Sequence, residues 1–92
     1  MNQEDDMSIV SLLAHSKKRT EVLKSLEKEN KIPSKISKDI NDNSNHVSKY
    51  LSTLKDAELV ECLNEADKRY RYYSITDKGK YYLKKVEKDY ND

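Results

Sequence analysis

The stretch IPSKISKDINDNSNHVSKYLSTLKDAELVECLNEADKRYRYYSIT, residues 32–76, decides how this chain folds. The residue before a proline is pushed out of the helical region, so Lys31-Ile32-Pro33 reads as a short extended segment, and Pro33 or Ser34 opens a helix. From Ser34 to Ile40, Ile36 and Ile40 stand four apart on one face and leave Lys35 and Lys38 outward. Asn41-Asp42-Asn43 follows as a turn, because asparagine tolerates the left-handed backbone that glycine would otherwise supply. Asn43 or Ser44 then caps a second helix running to about Ala57, with Val47, Leu51 and Leu54 at i, i+4, i+7 toward the core.

Beyond this pair of helices, Leu59, Val60, Cys62 and Leu63 predict a strand, Asn64 to Lys68 a polar turn, and Arg69 to Ile75 a returning strand. On the returning strand Tyr73 and Ile75 share a parity with Arg69 and Arg71, while Tyr70, Tyr72 and Ser74 take the other face. Thr76-Asp77 caps a last helix over 77–91, and Gly79 falls in its first turn, where a glycine costs little. Tyr82, Leu83, Val86 and Tyr90 form its i, i+1, i+4, i+8 stripe. With the rest of the core already assigned, a partner subunit is the expected cover for that stripe. Lys80, Lys84, Lys85 and Lys88 read as its solvated face.

Toward the N-terminus, residues 1–6 are polar and acidic and are expected to fray. A first helix should begin at Asp6 or Met7 and end at Ala14. Its Met7, Ile9, Val10, Leu12 and Leu13 cover too broad an arc for one contact, which again calls for a second copy of the chain. His15-Ser16 is a break, and Lys17 to Glu29 a further helix with the stripe Val22, Leu23, Leu26. Lys17, Lys18 and Arg19 crowd its first turn against the helix dipole, so either a bound anion or, more commonly, plain solvation would account for them.

Size and composition narrow the function. The 92 residues make one small domain, 1–92, with 34–57 as a helix-turn-helix and 59–76 as a ribbon. Hydrophobic residues are 35% and charged residues 38%, with no Phe, no Trp and seven Tyr, so the core must be lean and aliphatic and gains from pairing with another copy. No nucleophile, base and orienting group can be assembled, so catalysis is not expected, and neither is a cofactor. Cys62 is the single cysteine and reads as a small buried strand residue. It has no Cys or His at ligand spacing, and His15 and His46 stand far apart, so no metal site is expected. The start MNQEDD lacks a basic leader and no run approaches a membrane span, so a cytoplasmic protein without membrane contact is expected.

A net charge of +1 does not announce a nucleic-acid binder, so the placement of charges must carry the argument. A helix entering the major groove needs short polar side chains near its N-terminus and a cation or two for phosphates. Ser44, Asn45, His46, Ser48, Lys49 and Ser52 meet that need, and no acid appears between Ser44 and Lys55. A solvated face would carry Glu and Lys at salt-bridging spacing instead. Lys68, Arg69 and Arg71 on the ribbon can reach a phosphate or a minor groove, although Glu65 and Asp67 in its turn would repel one, and an Arg/Tyr edge strand is also a way to stay soluble.

The order of elements is that of a mainly α winged helix-turn-helix with a small β-hairpin wing and terminal dimerisation helices. Leu12 to Thr76 resembles the winged-helix transcriptional regulators of the ArsR and MarR type. The segment from Val47 to Val60 looks like their recognition helix and the turn into the wing, Arg69 to Thr76 like the returning wing strand, and Thr76-Asp77-Lys78-Gly79 like the start of their last helix. The resemblance implies a dimeric DNA-binding regulator with Ser44, Asn45, Ser48, Lys49 and Ser52 in the groove and Arg69 at the wing. Asp42 stands where an apolar residue is usual and Glu58 where glycine is usual, and the missing Cys/His cluster argues against metal sensing.

The sequence therefore predicts a regulator that reads double-stranded DNA as a homodimer on a pseudo-palindrome, dimerising through Ile9, Leu12, Leu13, Tyr82, Leu83, Val86 and Tyr90. An effector pocket between the terminal helices and the core is compatible with this, but no residue pattern argues for one. A winged-helix module that binds another protein is the alternative, motivated by the low net charge and the tyrosine-rich ribbon.

Overall fold

A computed structural model describes the backbone of residues 3–90 and the side chains of 6–88. Five helices and one antiparallel ribbon follow in the order α1 Gln3–Ala14, α2 Lys17–Glu27, α3 Pro33–Ile40, α4 Ser44–Asp56, β1 Val60–Cys62, β2 Tyr73–Ile75 and α5 Asp77–Tyr90. The caps expected at Asn43 and Thr76 form, and Ser16, read from the sequence only as a break, caps α2. Ser16 Oγ accepts from Arg19 N at 3.2 Å, Asn43 Oδ1 from His46 N at 2.8 Å, and Thr76 Oγ1 from Gly79 N at 2.9 Å. Pro33 takes the first position of α3, where its missing N–H would have had no helical partner. Asn41 ends α3 in the left-handed region at φ 55°, the role expected of the asparagine turn.

The core is aliphatic, as composition requires. Val22, Leu23 and Leu26 of α2, Ile36 and Ile40 of α3, and Val47, Leu51 and Leu54 of α4 meet beneath Leu59, Val60 and Ile75 of the ribbon. The terminal helices close the same core from the other side: Ile9 and Leu13 of α1 and Tyr82, Leu83 and Val86 of α5 are all buried within the one chain. This corrects the expectation that the α5 stripe needs a partner subunit. α1 is the cover, and a period read along one helix could not reveal which distant helix supplies it. α1 begins at Gln3 rather than at Asp6 or Met7, inside the stretch expected to fray; residues 1 and 2 lie outside the described residues. Asp6 is why this stretch docks: its carboxylate accepts from the Tyr82 hydroxyl and from Lys85 Nζ, both at 2.8 Å.

Regular ribbon pairing is shorter than the sequence implied, with Val60 opposite Ile75, Glu61 opposite Ser74 and Cys62 opposite Tyr73. Lys31 pairs with the other edge of Tyr73 through N–H to O bonds of 3.1 and 2.9 Å, so the extended segment before Pro33 becomes a one-residue third strand. Arg69 to Tyr72 run beside β1 without a ladder, apart from Leu63 N to Tyr72 O at 2.8 Å. Side chains replace it. Asn64 donates to Tyr70 O at 2.8 Å and accepts from Tyr72 N at 2.6 Å, while Asp67 Oδ1 accepts from the amides of Arg69 and Tyr70. Asp67 therefore belongs to the turn, and Glu65 pairs with Lys55 of α4.

Where α4 turns into β1 and β2 into α5, the main chain passes very close to itself. A Cβ on Gly79 would lie 2.1 Å from the Leu59 carbonyl oxygen and 2.8 Å from Ile75 Cγ1. Glycine is thus required by packing, which the sequence alone, placing it harmlessly in a first helical turn, did not reveal. Thr76 completes the crossing: its amide donates to Leu59 O at 3.0 Å and its hydroxyl to Glu58 O at 2.7 Å. Glu58 itself holds φ 64°, so the position where glycine is usual keeps the glycine conformation with a side chain attached.

Two substitutions at this crossing should act with opposite signs in urea unfolding. Gly79→Ala is expected to destabilise by more than about 2 kcal/mol, since backbone must move, and Glu58→Gly to stabilise by about 0.5–1 kcal/mol by relieving left-handed strain. An acid dependence follows at the α1–α5 contact. The Lys85 ammonium and then the Tyr82 hydroxyl hold the Asp6 carboxyl below its ordinary value of 3.8. Its contribution is present above that value and is lost as pH falls through the lower folded one. Thermal melting of wild type and Asp6→Asn should converge as pH drops from about 5 toward 3; a gap that stays constant would refute this role.

Candidate nucleic-acid interface

The outward side of α4 is opposite its core stripe. Asn45, Lys49 and Ser52 repeat the i, i+4, i+7 spacing of Val47, Leu51 and Leu54 but two residues earlier, about 200° round the helix. Ser44 and Ser48 lie on the flank nearer the ribbon. All five are exposed. Ser48 and Ser52 line one wall of an open cleft of about 440 Å³ whose other wall is Lys68, Arg69, Arg71 and Tyr73, with Pro33, Leu51 and Lys55 completing it. The two groups that the sequence singled out separately, the polar helix face and the basic ribbon, are therefore brought to one place.

Their charges differ in availability. Among the described residues Lys49, Lys68 and Arg69 make no side-chain hydrogen bond or ion pair. Arg71 donates from Nε to Asp67 O at 3.1 Å and so braces the ribbon tip as well as facing the cleft. Lys55, which sequence reading left unassigned, lines the cleft and pairs with Glu65; the hydrogen bond raises the lysine pKa and lowers the glutamate's. That pair links the end of α4 to the ribbon and leaves Glu65 with a counter-charge of its own. The repulsion expected from Glu65 is thus offset by Lys55, whereas Asp67 is held by the Arg69 and Tyr70 amides and keeps its charge.

His46 turns to the opposite flank. Its Nδ1 lies 2.8 Å from Asp42 Oδ1, which also accepts from the Asn43 amide at 2.7 Å, and Asp42 Oδ2 accepts from the Tyr50 hydroxyl at 3.2 Å. The side chain of Asp42 is only 15% exposed. An acid where an apolar residue is usual has become the centre of a small network joining the α3–α4 turn to the first two turns of α4. His46, first with its hydrogen bond, and the Asn43 amide hold the Asp42 carboxyl below 3.8, and the Tyr50 phenol is raised, chiefly by desolvation and then by Asp42. His46 is accordingly placed to position the helix, although its ring is half exposed.

Residues 19–91 match the family described as winged helix-turn-helix. The chain belongs to that family. Its winged-helix fold is also that of solved structures. NolR from Sinorhizobium fredii superposes with a TM-score of 0.77 at 26% identity, over 95% of this chain and 85% of that one. HlyU from Vibrio cholerae gives 0.72 at 17% over the full length of both. A mutant of Lactococcus lactis ZitR gives 0.65 at 23% over 76% of this chain, which spans only 49% of the ZitR chain. The likeness to HlyU and ZitR is one of fold. No curated protein sequence matches the chain.

In winged-helix terms α3 and α4 are the helix-turn-helix and the ribbon is the wing. Other expected site residues fall elsewhere. Ile9, Leu13, Tyr82, Leu83 and Val86, read from the sequence as dimer contacts, are consumed by the protomer's own core; Leu12 is half-buried, and the Tyr90 side chain lies outside the described residues. Lys18 and Arg19 bond within the chain. Lys18 donates to the Ile40 carbonyl at 2.7 Å, and Arg19 to Leu12 O at 2.7 Å and Thr53 Oγ1 at 3.1 Å, serving helix ends that only the folded chain brings near. Among the described residues no three His, Cys, Asp or Glu side chains gather around a point, and no helix is long and apolar enough to cross a membrane. An open cleft of about 520 Å³ between α1, α2 and α5, lined by Leu13, Thr20, Glu21 and Val86, occupies the region where an effector would be sought.

Removing the Asp42 carboxylate tests the network that sets α4. In Asp42→Ala the Asn43 amide, His46 ring and Tyr50 hydroxyl lose their shared acceptor, so hydrogen exchange at the start of α4 is expected to quicken while core amides of α2 stay protected. Equal exchange in both proteins would show that Asn43 alone holds the helix start.

Proposed function

We propose that this protein is a sequence-specific regulator of transcription that binds double-stranded DNA as a symmetric homodimer on a pseudo-palindromic site. The observation that carries the reading is the cleft in which the acid-free face of α4 and the free Lys68 and Arg69 of the wing converge on a winged-helix fold. Lys49, Lys68 and Arg69 supply phosphate contacts, and Ser44, Asn45, Ser48 and Ser52 are short enough for α4 to approach base edges. The ArsR and MarR resemblance of the recognition helix and returning wing strand belongs to the same reading, as does the cytoplasmic location expected from the sequence.

The proposed dimer face differs from the one expected from helical periods. Met7, Val10, Ser11 and Ala14 of α1, with His15 just beyond it, border an open groove with Asp6 and Lys85, beside an exposed Tyr81. Met7 is 64% and Tyr81 57% exposed, which is much apolar surface for so small a domain to leave in water. A twofold contact there would pair two copies of the same surface. Two α4 helices about 34 Å apart would then read successive major grooves.

A second reading has its own observation. Leu63, Tyr70 and Tyr72 are all exposed on the wing, where Leu63 stands opposite Tyr72, so the wing also carries an apolar face suited to another protein. Salt separates the two readings. Duplex affinity should fall steeply between about 50 and 200 mM salt, because each neutralised phosphate releases counterions, whereas an apolar protein contact should not. Replacing Ser48, Lys49 and Arg69 together by Glu is expected to weaken duplex binding at least about tenfold, with the mass of the complex reporting one dimer per site. Duplex binding no better in the wild type than in this variant would move the protein-partner reading to first place.

A further inference from the structure

We propose that Asn45 reads an adenine in each half-site and fixes the base at that position, an inference that rests on the DNA-binding reading above. Asn45 stands in the first turn of α4, two residues after the Asn43 cap, on the line of Asn45, Lys49 and Ser52 that points directly away from the core. Helix-turn-helix proteins present the N-terminal residues of the recognition helix to base edges, so this line meets the groove floor with Asn45 leading.

Its chemistry sets it apart from its neighbours. Ser48 and Ser52 offer single hydroxyls that serve any base, and Lys49 donates only. A carboxamide has a donor and an acceptor side by side, which matches the N7 acceptor and N6 amino donor of adenine. Guanine shows two acceptors on the same edge, cytosine a donor without that neighbouring acceptor, and thymine an acceptor and a methyl group. Two other asparagines near the site, Asn43 and Asn64, have side-chain atoms already engaged. Asn43 Oδ1 caps α4, and Asn64 holds two strands of the wing through both its oxygen and its nitrogen. Asn45 is exposed and, among the described residues, makes no side-chain hydrogen bond. Its amide is therefore ready to bind without first breaking an internal contact.

The supports of α4 make such a contact selective. The Asp42 network fixes the turn before the helix, and Lys55 ties its far end to the wing, so the Asn45 backbone approaches the duplex from a set direction. A bidentate contact from a held backbone discriminates between bases in a way that a flexible lysine does not.

The test uses the full chain and Asn45→Ala, which removes the amide from an exposed helical position and should leave the circular dichroism unchanged. Motifs are selected from random duplexes by both proteins. Affinities are then measured on the selected duplex and on one carrying 7-deazaadenine, which pairs normally but lacks N7, at each adenine in turn. Wild type should require adenine at one symmetric pair of positions by about 5- to 150-fold, and Asn45→Ala should lose that requirement alone, keeping the remaining motif and the salt dependence. The 7-deaza substitution at that position should weaken wild type and leave the variant unaffected. If the variant selects the same motif as wild type, or responds to 7-deazaadenine equally, Asn45 does not read the base, and DNA binding itself stands. If wild type binds no duplex at low salt, the underlying reading falls and this inference with it.

Discussion

The carbonyl of Leu59 lies against the α-carbon of Gly79, and there is no space between them for a side chain. Around that contact the end of α4, the start of β1, the end of β2 and the first turn of α5 share one set of hydrogen bonds. Leu59 N donates to Leu54 O, its carbonyl accepts from Thr76 N, and the Thr76 hydroxyl both donates to Glu58 O and accepts from Gly79 N. The helix that would meet DNA and the wing beside it are thereby joined at a point where backbone, rather than adaptable side chains, sets the distance. Lys55 and Glu65 join them a second time nearer the cleft. With two attachments, the cleft between α4 and the wing is held in shape from its base.

Turns elsewhere are made without glycine, of which the chain has one. Asn41 takes the left-handed position after α3, Glu58 takes it after α4, and the wing tip is ordered by the side chains of Asn64 and Asp67. Polar side chains that bond to nearby backbone replace conformational freedom with specific acceptors. The acidic residues among them have defined partners as a result. Asp42, Glu65 and Asp67 all have carboxyls lowered by the hydrogen bonds they accept, so each stays ionised against a fixed partner.

Local patterns carried most of the fold. Ile36 with Ile40, the Val47, Leu51, Leu54 stripe, the caps at Asn43 and Thr76, and the left-handed asparagine are all matters of spacing within one helix or turn, and such spacing is visible in sequence. The candidate site was legible for the same reason, because Ser44 to Ser52 share a helix face and Lys68 to Arg71 a ribbon. What could not be read was set by pairs distant along the chain. Asp6 meets Tyr82 and Lys85, Lys18 meets Ile40, and Arg19 meets Thr53. Lys18 and Arg19 read as solvated charge and the Tyr82 stripe as a partner's contact, since an apolar stripe or a cation shows that it needs company without showing whose. The Gly79 requirement is likewise invisible locally, because the obstructing carbonyl belongs to Leu59 on another element.

The guanidinium of Arg19 donates to the Leu12 carbonyl at the end of α1 and to the Thr53 hydroxyl on the back of α4. Two nitrogens of one planar guanidinium thus bond α1 and α4 at once, at 2.7 and 3.1 Å. The end of α1 and the back of α4 therefore rest on one cation, and a change at either is met first by the same side chain.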